Sequence, residues 1–263
     1  MNTLDFSQAR FLLTDVDDTL TSHGLLLPQT YQALWNLADA GIHIIPVTGG
    51  CAGWCDQIIR TWPVAGVIGE SGGFYIVKDK EQRTLWHYWD DLDTHRADQN
   101  SIINAVDNLG LSYPIDYAKD QSFRHVDVAI DYNQDASLTS VQADEVVHLL
   151  KQFGFSVKKS SIHINVWRGD FDKGAMARRL LAQQWQLTDA QMQQAVVFIG
   201  DAPNDESMFE FFPNSVGVAN ISRHLARMTH HPKAITPSAS GLGVTELIQA
   251  WLNAKDHSSK MGR

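Results

Sequence analysis

Long apolar runs are missing from this chain of 263 residues. No stretch approaches the roughly 20 residues that cross a bilayer, so a membrane partner is not expected. Residues 1–10 carry no basic segment followed by an apolar stretch, and no secretory leader is expected there. Cysteine is almost absent, with Cys51 and Cys55 the only two. One helical turn apart, they have the wrong backbone setting for a routine structural disulfide, and no further ligands stand at zinc-like spacing. Two reduced, hydrophobe-like thiols are expected, which fits a cytoplasmic protein. Positive charge is scarce as well: 21 Lys and Arg against 30 Asp and Glu give a formal charge of −9. Binding to nucleic acid, which needs clustered cations, is therefore not expected. Repeats and low-complexity stretches are absent, and nothing specifies an oligomeric state.

What the chain does have is 44% hydrophobic residues, enough to bury a sizeable core. Short apolar runs at Phe11 to Leu13, Ile42 to Val47, Val64 to Ile68, Val196 to Ile199 and Val216 to Ala219 predict strands. Each precedes a turn and a helical segment, expected near 28–40, 51–60, 173–185, 204–211 and 243–253. That alternation predicts an α/β fold with a Rossmann-like parallel sheet buried on both faces. Between about residues 84 and 168 the pattern changes. His125 to Asp131 and Ser161 to Trp167 alternate polar with apolar, which predicts an antiparallel sheet covered on one face. We read 84–168 as an inserted α+β cap, 1–83 and 169–263 as the two parts of the core, and 257–263 as a disordered tail.

Three of the predicted parallel strands end in polar residues: Asp15 and Asp17, Thr48, and Asp201. Ligands bind at that edge of open parallel sheets. Carboxylates gathered there repel one another unless a cation lies among them, and hard oxygen donors suit Mg²⁺. A calcium loop starting at Asp15 is ruled out, because its sixth and twelfth positions would be Leu20 and Leu26 instead of Gly and Glu. Thr48-Gly49-Gly50, between a strand and a helix, could cradle phosphate with its hydroxyl and N–H groups. Lys173 stands in a first helical turn, capped by Asp170 or Asp172, where a cation opposes the helix dipole. In Gly200-Asp201-Ala202-Pro203-Asn204-Asp205, Asp201 and Asp205 could face one metal.

Taken in order, Asp15-Val16-Asp17-Asp18-Thr19, Thr48, Lys173 and Gly200-Asp201 with Asp205 resemble the four motifs of the haloacid dehalogenase-like hydrolases. The cap position resembles the branch holding Cof-type, sucrose-phosphate and mannosyl-3-phosphoglycerate phosphatases. The resemblance implies a phosphomonoesterase acting on a sugar phosphate or similar small phosphorylated metabolite. Asp15 would be the nucleophile that forms an aspartyl-phosphate and Asp17 the general acid and base. Thr48, Gly49 and Lys173 would hold the phosphoryl group, and Asp15, Asp17 (through its carbonyl) and Asp201 would hold Mg²⁺. Asp205 and Asn204 would support Lys173 or the metal. Three positions depart from the commoner pattern: Asp18 in place of Gly, which leaves the nucleophile assignment intact, and Gly50 in place of Arg and Ser71-Gly72-Gly73 in place of Asn-Gly-Ala, which bear on the substrate.

In the cap, His125, Asp127, His163, Asn165 and Trp167 share one alternation face, and His125, His163 and Asn165 are candidate substrate contacts. Trp35, Trp54 and Trp62 are expected in core or interface. Two rival functions stay open. A phosphomutase would use the same chemistry with cap cations such as Arg124, Lys158, Lys159 and Arg168, and a catalytically silent binding protein would keep only the fold.

Overall fold

The computed structural model describes residues 4–160 and 162–261, with side chains to Asp256. The chain begins with β1 (Phe11–Thr14), α1 (Pro28–Asp39), β2 (His43–Pro46) and α2 (Ala52–Thr61). A meander follows, β3 (Gly66–Gly69), β4 (Phe74–Lys78) and β5 (Thr84–Tyr88). Next come α3 (Leu92–Asp107), β6 (Asp116–Tyr117), β7 (Val128–Asp131), α4 (Ser140–Gln152), β8 (Ser156–Lys159) and β9 (His163–Trp167). The chain returns through α5 (Lys173–Trp185), α6 (Asp189–Ala195), β10 (Val196–Gly200), α7 (Glu206–Phe211), β11 (Ser215–Gly217), β12 (Ala234–Ile235) and α8 (Ser240–Met261).

The central sheet is parallel, in the order β12-β11-β10-β1-β2. Successive residues of β1 go to opposite faces. Phe11 and Leu13 pack with Met176, Leu180 and Phe209 of α5 and α7, and Leu12 packs with Leu34, Leu37, Leu247 and Trp251 of α1 and α8. Both faces are therefore covered, which is why the strands read as unbroken apolar runs. Each fully buried large side chain in these layers contributes about 1.5–3 kcal/mol. The fold is the expected α/β core with an inserted α+β cap. In the cap, the antiparallel sheet β6-β7-β9-β8 packs Val128, Ile130, Ile164 and Val166 against Ile102, Val146 and Leu150 of α3 and α4.

Three local expectations need correction. Val64 to Ile68 runs parallel to β2 and the residues after it, through Ala65 N–H to the Ile44 carbonyl, Thr48 N–H to the Ile68 carbonyl and a bridge of Val47 to Ile68, but the ladder of β3 is antiparallel, with β4. Thr84–Tyr88, placed at the start of the inserted segment, is hydrogen-bonded to β4. The tail expected to be disordered is helical as far as Met261, and residues 262 and 263, like Ser161, lie outside the described residues.

Register places the site. Thr14 pairs with Pro46 on one side and Ile199 on the other, so Asp15, Thr48 and Asp201 emerge together just past the strand ends. Pro28 opens α1 with its φ already set for a helix.

Candidate active site

Lys173 is the first residue of α5, and the Asp172 carboxylate caps that helix by accepting from the Ala175 N–H at 2.9 Å. The cap fixes the Lys173 side chain between two carboxylates: Nζ donates to Asp15 Oδ1 at 2.5 Å and to Asp205 Oδ1 at 2.7 Å. Lys173 is 1% exposed. Burial opposes its charge, but Asp15 and Asp205 together outweigh burial and hold the ammonium above its ordinary range. The other oxygen of Asp205 accepts from the N–H groups of Asp201 and Ala202 at 3.0 and 3.2 Å. This close fit requires Gly200, where a Cβ would lie 2.4 Å from Asp205 Oδ2.

Carboxylate oxygens of Asp15, Asp201 and Asp205 lie within 4.8 Å of one another, all buried. Burial, then Asp205 and Asp17, push Asp15 up to about 7 against the pull of Lys173. Burial, then Asp15 and Asp205, push Asp201 well above the carboxylate range. Asp17 is raised too, first by burial. Four acids thus face one ammonium.

The donor set fits a hard divalent cation. A cavity of about 10 Å³, room for one water-sized sphere, is lined by Asp15, Asp17, Asp201 and Asn204. Asn204 Oδ1, buried in that wall, has no hydrogen-bond partner among the described residues. Asp205 does not line this cavity, whereas Asp15 and Asp201 do, and they are the carboxylates placed to meet such an ion, although Asp15 Oδ1 also bonds Lys173 and Asp201 accepts from Thr19 and Asn220.

Asn220 was not foreseen. Its amide nitrogen donates to Asp201 Oδ2 at 2.9 Å and to the Asp18 carbonyl at 3.1 Å, and its oxygen accepts from the Ser240 N–H, joining the first acidic turn to the last. Asp18 has φ 57°, a left-handed conformation. Gly adopts that conformation without strain, and Asp tolerates it better than most other residues.

Thr48 is fully buried beside the acids, its hydroxyl accepting from the Gly50 N–H at 2.9 Å and standing 3.5 Å from Asp17 Oδ2. Gly49 lines the small cavity, but the start of α2 is already taken by an internal carboxyl group: Ala52 N–H donates to Glu70 at 2.8 Å, and burial, then Asp127, push Glu70 up to about 8. Glu70 also accepts from the N–H groups of His125, Val126 and Asp127 where the chain enters the cap sheet. The sequence pattern marks the adjacent Ser71-Gly72-Gly73 but carries no signal for Glu70. Glu70 and Ser71 have φ of 45° and 59°. Gly72, at φ 109°, lets this loop approach α5 so closely that a Cβ would lie 2.3 Å from the Asp172 carbonyl.

A second cavity, of about 910 Å³, opens from Asp17 and Gly49 toward the cap and is walled by Trp54, Arg124, His163 and Asn165. Arg124 and Asn165 both donate to the Gly49 carbonyl, at 3.0 and 3.2 Å. His163 and Asn165 thus stand where the alternation put them, but His125 does not line this cavity. The strand begins only at Val128, so the alternation does not reach back to residue 125. The His125 ring instead packs against Trp86 and bonds the Tyr88 hydroxyl at 2.9 Å. Trp54, expected in a core or interface, is 44% exposed at the cavity wall.

A family model of haloacid dehalogenase-like hydrolases matches residues 110–248. The chain belongs to that family. No curated protein sequence matches this hydrolase. Solved structures share its fold: protein 0175 of Thermoplasma acidophilum superposes with TM-score 0.70 at 15% identity over 93% of this chain and 98% of that one. Sucrose-phosphatase of Synechocystis sp. PCC6803, solved with sucrose and phosphate, gives 0.65 at 17% identity over 93% and 98%. A haloacid dehalogenase-like hydrolase of Bacteroides thetaiotaomicron gives 0.65 at 15% identity over 92% and 99%.

Proposed function

We propose that this hydrolase is a Mg²⁺-dependent phosphomonoesterase acting on a sugar phosphate or similar small metabolite through an aspartyl-phosphate. The observation that carries the reading is Lys173 clamped between Asp15 and Asp205, with Asp201 alongside and a large cavity beginning at Asp17. Asp15 is the nucleophile. Its carboxylate oxygen bonds to phosphorus as the ester oxygen leaves, taking a proton from Asp17. Asp17 then removes a proton from water, which attacks the same phosphorus and returns Asp15 and inorganic phosphate. Lys173 and the Thr48 hydroxyl face the phosphoryl oxygens, and Asp205 keeps the ammonium aimed. Mg²⁺, held by Asp15, Asp201 and the Asp17 carbonyl, would neutralise charge on the transferred group.

The reading is tested by phosphate release from a panel of sugar phosphates with Mg²⁺ and with chelator. Asp15→Asn should lower kcat by at least about 10³-fold, the scale on which removing a nucleophile acts. Phosphate release that survives the substitution would refute the role given to Asp15. Transfer of the phosphoryl group to a second hydroxyl, without net phosphate, would favour the mutase.

A further inference from the structure

Among the described residues, the cap wall of the large cavity supplies no uncommitted cation. Arg124 is the only Lys or Arg among the residues that line it. Its guanidinium is fully buried and committed. Nε and Nη2 donate to the two oxygens of Asp120 at 3.1 and 3.0 Å, and Nη1 donates to Asp127 Oδ1 at 2.8 Å and to the Gly49 carbonyl. The same lining carries three carboxylates: Asp120 is held by Arg124, Asp18 lies 3.8 Å from the Arg223 guanidinium, which is itself 3.6 Å from Asp201 and so committed too, and Asp17 stands at the inner end. A second phosphate or a carboxylate on the leaving group would meet these acids with no cation released to receive it.

Other features of the wall suit an uncharged, hydroxylated group. Trp54 and Phe123, 44% and 60% exposed, offer ring faces to the carbon face of a sugar. His163 is 6% exposed, and its Nε2 is buried with no partner among the described residues. Burial, then Arg124, lower its pKa, so the ring is neutral and able to give or take a hydrogen bond with a hydroxyl. A buried ring nitrogen without a partner costs stability unless a ligand completes it.

We propose that this cavity selects phosphate monoesters whose leaving group is an uncharged polyol or sugar and rejects those bearing a second anionic group, with His163 and the Asp120–Arg124 pair setting the preference. The inference rests on the phosphatase reading and names the substrate class of the same site.

The test is phosphate release by the native protein with Mg²⁺ from matched pairs: glucose 6-phosphate against 6-phosphogluconate, and fructose 6-phosphate against fructose 1,6-bisphosphate. In each pair kcat/KM for the uncharged leaving group should be greater by roughly tenfold or more, as expected for like charges brought close. Asp120→Asn, which removes one acid and loosens the hold on Arg124, should shrink that ratio at least about threefold. His163→Leu should lower kcat/KM on the uncharged members while leaving Tm unchanged or higher, a combination that a purely structural histidine would not give. Equal or reversed ratios in the native protein would overturn the charge selection. An unchanged ratio in a folded Asp120→Asn would overturn the role of the pair. Turnover of neither member of any pair would instead overturn the phosphatase reading beneath it.

Discussion

Asp201 shows how the site trades stability for chemistry. Its carboxylate is buried against Asp15 and Asp205, which raises its pKa well above the ordinary range. The folded state therefore holds a proton that the unfolded chain releases near pH 4, so Asp201 costs stability progressively as pH rises above that point. In chelator, Asp201→Asn should melt higher than the native protein, with a gap that widens from about pH 4 to about pH 5, and in Mg²⁺ the variant should lose phosphate release. Equal melting at both pH values would contradict the crowding. Asp15, Asp17, Lys173 and Asp201 were legible in sequence because their positions are set locally, one step past a strand or one step inside a helix. Asn220 and Glu70 were not. Asn220 reaches Asp18 and Asp201 across the fold, and Glu70 gathers N–H groups more than 50 residues ahead of it.

Among the elements, α5 and the loop at Glu70–Gly72 do most to place the site. Asp172→Ala removes the cap of α5 directly before Lys173. About 1 kcal/mol of stability should be lost, readable in a denaturant titration, and kcat should fall more than KM rises because the ammonium loses its register. Glu70 joins the start of α2 to the entry of the cap sheet through four N–H groups, three of them in buried bonds. Glu70→Ala leaves those donors without partners at about 1–3 kcal/mol each, so a total loss above roughly 3 kcal/mol is expected. Thermal unfolding would measure it, and a loss under about 1 kcal/mol would mean that water replaces the carboxylate at little cost. Strand periodicity foretold the cap face bearing His163 and Asn165 but misplaced His125, since alternation in sequence does not mark where pairing starts.

At the scale of the whole molecule, the parallel core was readable because strands buried on both faces have no polar alternation. The same feature hid β3, whose run Val64 to Ile68 looks alike whether its partner is parallel or antiparallel. Core and cap meet at the Gly49 carbonyl, which Arg124 and Asn165 hold from the cap side while Thr48 faces the acids from the core side. The acids are the unbalanced part of this assembly, four carboxylates to the Lys173 ammonium and, 3.6 Å from Asp201, the half-exposed Arg223 guanidinium, in a chain with a formal charge of −9. A divalent ion that binds the folded site and not the unfolded chain stabilises by mass action, by about 2.7 kcal/mol at a hundredfold excess over Kd. For a chain of this length that is a rise in Tm of roughly 5–10 °C. Melting in Mg²⁺, against chelator at matched ionic strength, should show this rise. Asp201→Asn should abolish it, because the other carboxylate assigned to the ion, Asp15, is shared with Lys173. An equal rise with Na⁺ or in the variant would mean general screening of the acidic surface and would remove the support for a bound metal at this edge of the sheet.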